Sequence, residues 1–347
     1  MAICQSVDIR SRDMLPTCNA TTRSEAYWAA HCDTCLNVAT CDLRSLVWLK
    51  DNCRDVDYVN TRTGGSNGEL LYSCLDNITS VFLGDSTLRQ IAKRMVAPHV
   101  GAYEMWAMNG HNFAKLHSRI QDKGRGVRLY WNYLLHRSQP AKELIRHTLL
   151  NKISRKHLQD RPVVLVVGGL YTYIEGVEAL VSACRKLEDD VRDSSALSKK
   201  SSVTVASLKS DCPWSELIGG KGMQVIIKSP GMSRFGWYDC CSDAGYTDVN
   251  ECPVHIQNDC ARILAIDVEQ ERQTALQNEY DWFDTLNATA SMRSLVREND
   301  QNNCSCHYGV RRYAHDKRWN ENIWPYTKSR MLDNLSNVLA TQICGVR

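Results

Sequence analysis

The run Val163-Val-Leu-Val-Val167, closed by Gly168-Gly169, constrains the fold more than any other segment of the chain. It is apolar throughout and mostly β-branched, with no polar residue in alternation. A strand of that kind is apolar on both faces, so both faces need cover. Parallel strands with helices packed on each side of the sheet meet that need, whereas an antiparallel sheet with one wet face would show alternation.

The neighbouring segments extend the pattern. Thr79-Ser-Val-Phe-Leu-Gly84 reads as a short buried strand. Leu88, Ile91, Ala92, Met95 and Val96 then fall on one face of a helix. Further strands are expected at Tyr103–Met108, Val127–Trp131 and Gln224–Lys228, closed by Ser-Pro-Gly. A helix is expected over roughly Ile256–Leu276, a last strand at Tyr280–Thr285, and a tail helix with the stripe Met331, Leu335, Val338, Leu339, ending at Cys344. Strands that alternate with helices predict an α/β fold, a three-layer doubly wound parallel sheet. Residues 76–347 form that domain in this reading, with a Ser/Lys/Asp-rich insertion at about 185–222. Residues 1–75 read as a Cys-rich, polar, irregular segment that packs on or lids the core, with a turn at Thr63–Gly68.

Composition narrows the class. Hydrophobic residues make up 43% of the 347 residues, enough for a sizeable core and too many for wholesale disorder. With 42 Lys+Arg against 39 Asp+Glu the net charge is +3, which gives no support to nucleic acid as a partner. No apolar window reaches the ~18 residues of a membrane span, and the start MAICQSVDIRSRD has no signal-like apolar run.

The cysteines point to an oxidising compartment. There are 16: seven from Cys4 to Cys74, none from 75 to 183, and nine from Cys184 to Cys344. That segregation fits a disulfide-stapled periphery around a Cys-free core region. Sequons at Asn19, Asn77, Asn287, Asn303 and Asn334 agree with it. The secretory pathway lumen, the Golgi in particular, or the extracellular space is therefore expected. A leader would then precede this start, and contact with a membrane would come only through such an anchor. Cys32-Asp-Thr-Cys35, with His31 and Cys41, lacks the second half-site of a zinc knuckle, so no metal is expected.

In an open parallel sheet, ligands collect at the carboxyl ends of the strands. The first such end here is Leu83-Gly84-Asp85-Ser86-Thr87-Leu88-Arg89-Gln90. Two readings of Ser86 stay open on the residues alone. It is a nucleophile whose own amide and helix dipole favour an oxyanion, or it is the helix N-cap.

Val81-Phe-Leu-Gly-Asp-Ser-Thr-Leu-Arg-Gln90 resembles the first block of the SGNH/GDSL hydrolase superfamily. More narrowly it is similar to the branch of the glycan O-acetyltransferases, the neurexophilin-like NXPE C-terminal domains and the PC-esterases. Trp48, Cys53 and Cys74-Leu75 stand where that branch shows its upstream Trp, Cys and Cys-Leu pair. Gln224-Val-Ile-Ile-Lys-Ser-Pro resembles its late strand, and Asp281-Trp-Phe-Asp-Thr-Leu-Asn-Ala-Thr the segment before its catalytic His. The likeness runs in order over about residues 40–347.

The resemblance implies a flavodoxin-like SGNH sheet and a Cys53–Cys74 pairing. It implies Ser86 as nucleophile, and Arg89 as the family's GDSxxR arginine, bracing the loop or acceptor site. On the residues alone, Arg89 reads equally as a solvated helix-face charge. A base is required, because a Ser hydroxyl is a weak nucleophile near neutral pH. The family places an Asp-x-x-His pair late in the chain. His307 in Cys304-Ser-Cys-His-Tyr308 is favoured over His315, although Cys304 stands where the Asp is expected. Asp281, Asp284 or Asp300, or a backbone carbonyl, would then orient the ring. Gly110, of Asn109-Gly110, and Gly168 are the expected oxyanion partners of the Ser86 amide, since the block after Val167 carries no Asn.

The implied activity is serine-dependent acyl transfer, with O-acetyl transfer to a glycan, or removal from it, through an acyl-serine. No tightly bound cofactor is expected; a transferase would draw on acetyl-CoA or another acyl donor. The partner is a carbohydrate, for which Trp237-Tyr238 and Trp324-Pro-Tyr326 are stacking candidates if they are not plain packing residues. The alternative is an SGNH-fold binding module for glycans or proteins that has lost catalysis, favoured by the missing Asp and Asn.

Overall fold

The computed structural model describes residues 3–5, 14–18, 26–31, 47–54, 56, 58, 67–96, 114–117, 126–133, 147–168, 222–229, 244–246, 252–277, 280–285, 310–311, 326–327 and 330–344. The expected strand Tyr103–Met108, almost all of the insertion at 185–222, and Gly110, Asp300, His307 and His315 lie outside them.

Five strands form a parallel sheet: β4 (Thr79–Gly84), β6 (Arg128–Tyr133), β7 (Val163–Gly168), β8 (Met223–Lys228) and β9 (Asp281–Phe283). A sixth, β5 (Ala114–His117), pairs antiparallel on the edge of β6 and was not legible in the sequence. The spatial order is β5-β6-β4-β7-β8-β9. Numbered along the chain, the parallel strands lie 2-1-3-4-5, the flavodoxin-like order of a doubly wound sheet. Val163 to Val167 is fully buried between β4 and β8, as an all-apolar strand requires.

Helices cover both faces. On one, Phe82, Trp131, Val166, Ile226 and Phe283 pack with α1 (Asn67–Asp76), α2 (Ser86–Val96) and α5 (Arg330–Cys344). Leu88, Ile91, Ala92, Met95 and Val96 are all fully buried there. Each of these side chains except that of Ala92 contributes about 1.5–3 kcal/mol of transfer free energy. The other face meets a π-helical turn, Thr148–Lys152, and the short α3 (Arg155–Gln159). There Thr79 Oγ1 donates to the His157 carbonyl at 2.8 Å, and Asn132 Nδ2 to Thr148 Oγ1 at 2.6 Å. Helix α4 (Val254–Gln277) leads into β9, with the Tyr280 amide donating to Ala275 O at 2.9 Å.

The first 75 residues are more regular than their composition suggests. β1 (Ile3–Gln5), β2 (Ala26–His31) and β3 (Val47–Lys50) form a separate three-stranded sheet, parallel then antiparallel. Helix α1 runs through residue 75, and its Leu71 and Leu75 belong to the core. A two-stranded ribbon, β10 (Val310–Arg311) with β11 (Tyr326–Thr327), precedes α5.

The disulfides correct one expectation. Cys53 pairs with Cys18, and Cys74 with Cys344; Cys53–Cys74 does not form. The reason is local on one side. Cys18 N donates to Arg54 O and Arg54 N to Pro16 O, each at 2.9 Å, and this short bridge sets Cys18 beside Cys53. On the other side it is tertiary, because the C-terminal ends of α1 and α5 meet with Cα atoms 5.7 Å apart across 270 residues of sequence. Cys252 is disulfide-bonded as well. Among the described residues no helix is long and apolar enough to cross a membrane. Of the sequons, Asn77 is exposed, whereas Asn334 is half-buried within α5 and its Ser336 is buried.

Candidate active site

The strand order reverses between β4 and β7, since their successors depart in opposite directions along the sheet. A crevice outside the carboxyl ends at such a switch point is where doubly wound sheets bind ligands. Gly84 and Gly168 end the two strands there, paired in register, and Tyr133 ends β6 opposite Gly84.

Both glycines are required by close approach. A Cβ on Gly84 would lie 2.2 Å from Gly168 O and 2.7 Å from Leu88 Cδ2. Gly168 has φ +148°, and a Cβ there would lie 2.2 Å from Lys228 O. The strand ends therefore close tightly beneath the first turn of α2.

Ser86 is the first residue of α2 and is half-buried. It is not the cap. Asp85, buried, accepts at Oδ1 from the Thr87 amide at 2.9 Å, the Thr87 hydroxyl at 2.6 Å and the Leu88 amide at 3.4 Å. The Arg89 amide donates to the Asp85 carbonyl at 3.0 Å. The first-turn amides that a helix leaves orphaned are thus assigned one by one, up to Ser86. Among the described residues nothing accepts from the Ser86 amide or bonds its hydroxyl. The Asp-x-Thr pattern was the available signal: an Asp at N-cap reaches the N2 amide and a Thr hydroxyl there.

Arg89 is not a simple solvated charge. It is half-buried, with its guanidinium carbon 5.8 Å from the centre of the Tyr133 ring. A cation over an aromatic face at that range contributes roughly 0.5–1 kcal/mol at an exposed site and more when desolvated. One turn on, Lys93 is buried. Burial, with the Arg89 guanidinium nearby, pulls its amine down to about 8.

The far side of the sheet's carboxyl end carries a polar knot that the sequence did not announce. Lys228 is 2% exposed and its Nζ donates to Ser229 O at 3.0 Å. Thr285 Oγ1 donates to the same oxygen at 2.6 Å, and the Thr285 amide to Ser229 Oγ at 2.7 Å. These bonds tie the ends of β8 and β9 together.

The knot separates the candidate orienting acids. Asp284 is at the carboxyl end of β9, with Ser229 Oγ 3.5 Å from its Oδ1. Asp281 opens β9, and its carboxylate accepts from Gln224 Nε2 at 2.6 Å. Gln224 is near the amino end of β8 and also donates to Gln342 O at 3.1 Å. Asp281 thus serves the junction with α5, in register with Ile226 and two residues of strand short of Lys228.

Ser86, Arg89 and Gly168 are therefore gathered at one end of the sheet, and Asp284 lies at the same carboxyl end with β7 and β8 between its strand and that of Ser86. Gly110, His307 and His315 fall outside the described residues, as do Asp300, Trp237-Tyr238, Trp324 and Cys32–Cys35. Among the described residues no group of three or more His, Cys, Asp or Glu is placed to hold a metal ion. No protein-family model, no curated protein and no solved structure matches the chain.

Proposed function

We propose that the protein carries out serine-dependent acyl transfer, moving an O-acetyl group to a glycan or removing it from one. One observation carries the reading: Ser86 stands at the switch point with its hydroxyl and amide left over by a cap that Asp85 completes alone. A serine needed only for the helix would be found in the cap.

In the proposed reaction His307 takes the Ser86 hydroxyl proton as Oγ attacks the ester carbonyl. The negative charge moves to the carbonyl oxygen, where the Ser86 amide and the backbone at Gly168 and Gly110 are the donors. Collapse of the tetrahedral intermediate expels the alcohol, which takes the proton from His307. Water or a sugar hydroxyl then opens the acyl-serine by the same steps, giving esterase or transferase. Asp284 supports the reading as the orienting acid, because it shares the carboxyl end of the sheet with Ser86 and Asp281 does not. Acetyl-CoA or another acyl donor would serve a transferase, and the lumen of the secretory pathway or the extracellular space suits the disulfides.

A fluorophosphonate serine probe tests this directly. The proposal expects labelling of the folded protein, lost in Ser86→Ala. Absence of labelling in the folded wild type would sink it and favour the second reading, a glycan- or protein-binding module. That reading is favoured by the Gly168-Gly169 sequence, which offers no side-chain amide as a third oxyanion donor. A missing donor of this kind costs about 3 kcal/mol of transition-state stabilisation.

A further inference from the structure

The two described disulfides differ in exposure. Cys18 and Cys53 are each 2% exposed, whereas Cys74 and Cys344, which pack against the core, are only half-buried. Exchange begins with attack of a thiolate on a disulfide sulfur, so access decides which bridge opens first.

The more accessible bridge is attached to the candidate site. Cys74 is in the last turn of α1 and Cys344 in the last turn of α5. Helix α5 packs on α2, the helix that opens with Ser86. Asp333 of α5 pairs with Arg94 of α2, and Ser336 Oγ lies 3.5 Å from Ile91 O. Helix α5 also holds the middle of β9, where Gln342 Nε2 donates to Trp282 O at 3.0 Å. In the chain it follows the segment 286–329, which contains His307 and His315. Its covalent tether bridges 270 residues of sequence, a separation at which cross-linking has a large effect on the undocked chain.

We propose that Cys74–Cys344 is a redox latch. A dithiol reductant attacks one sulfur, the S–S bond breaks through a mixed disulfide, and the second thiol of the reductant closes on the first. The products are two protein thiols and one oxidised dithiol. Helix α5 then undocks more often from α2, and Ser86 loses reactivity while Cys18–Cys53 stays closed. The effect on Ser86 rests on the acyl-transfer reading; the undocking does not.

The test titrates the intact oxidised protein with dithiothreitol without denaturant. Newly formed thiols are trapped with an alkylating agent and located by mass spectrometry, while hydrogen exchange is followed in α5 and α2. Cys74 and Cys344 are expected to be trapped at lower reductant than Cys18 and Cys53. Exchange in α5 should then rise by at least 10-fold, and fluorophosphonate labelling of Ser86 should fall and return on reoxidation. Cys344→Ala should show the raised α5 exchange without any reductant. The latch is overturned if Cys18–Cys53 opens at the same or lower dithiol, or if α5 exchange is unchanged once Cys74–Cys344 is open. An oxidised protein that never labels overturns the Ser86 reading instead, and leaves the exchange result to decide the latch.

Discussion

Asp85 holds Thr87 twice, through its amide at 2.9 Å and its hydroxyl at 2.6 Å, and so caps α2 without help from the serine between them. Stability and reactivity should therefore separate at adjacent positions. Asp85→Ala removes the cap and should cost about 1–2 kcal/mol in a denaturant titration. Ser86→Ala removes no described hydrogen bond and should stay within about 0.5 kcal/mol of wild type, while abolishing probe labelling. A large stability loss in Ser86→Ala would mean that the hydroxyl is structural.

Gly84→Ala should be severe for its size. The new Cβ meets a backbone oxygen at 2.2 Å, and neither β4 nor β7 can yield without disturbing the centre of the sheet. Overpacking of this kind costs typically 1–3 kcal/mol, and the rigid partner puts this variant at about 3 kcal/mol or more. The shift in denaturation midpoint measures it. Gly222→Ala, where nothing lies within 4 Å but φ is +89°, should cost less, about 1 kcal/mol of backbone strain.

Lys93 makes stability depend on pH in a predictable direction. Its amine falls from 10.5 to about 8 in the folded protein, with burial the main cause and Arg89 the second. Below about 8 both states hold the proton and the folded state bears the full penalty. Between about 8 and 10.5 the unfolded chain still holds the proton that the folded chain has shed, so stability rises with pH. The gain from pH 7 to 9.5 should be about 2 kcal/mol. Above 10 it is opposed by Tyr130, whose phenol is pushed up to about 12, mainly by burial. Denaturation midpoints across pH 7–9.5 should rise in wild type and stay nearly flat in Lys93→Met.

The choice of base is open to a two-variant comparison. His307→Ala should abolish fluorophosphonate labelling, and His315→Ala should retain it. Loss only in His315→Ala would reverse the assignment. Asp284→Asn should lower the labelling rate, and Asp281→Ala should act mainly on stability, through the lost acceptor for Gln224.

Much of the sheet was legible because its signals are local. Val163–Val167 could only be a strand covered on both sides, and the stripe from Leu88 to Val96 could only bury one face of a helix. β5 was not legible, because a four-residue edge strand needs only its partner's free edge and carries little pattern of its own. The strands of the first 50 residues were hidden by a polar, Cys-rich composition. At the site, the sequence marked Ser86 but left it divided between nucleophile and cap, because Asp85 and Ser86 are both good cap residues and the Asp-x-Thr pattern ranks them only once the helix is known to begin at Ser86.

Alone, then, the sequence determined the α/β class, the place of each central strand and the turn at Gly84-Asp85-Ser86, since alternation, β-branching and glycine act over a few residues. Only the tertiary structure decided that Cys74 pairs with Cys344, that Arg89 lies over Tyr133, and that Asp284 rather than Asp281 shares the carboxyl end of the sheet with Ser86. Those relations depend on which strand ends and helix ends meet in space, and contacts across 44 to 270 residues leave no period or spacing in the chain.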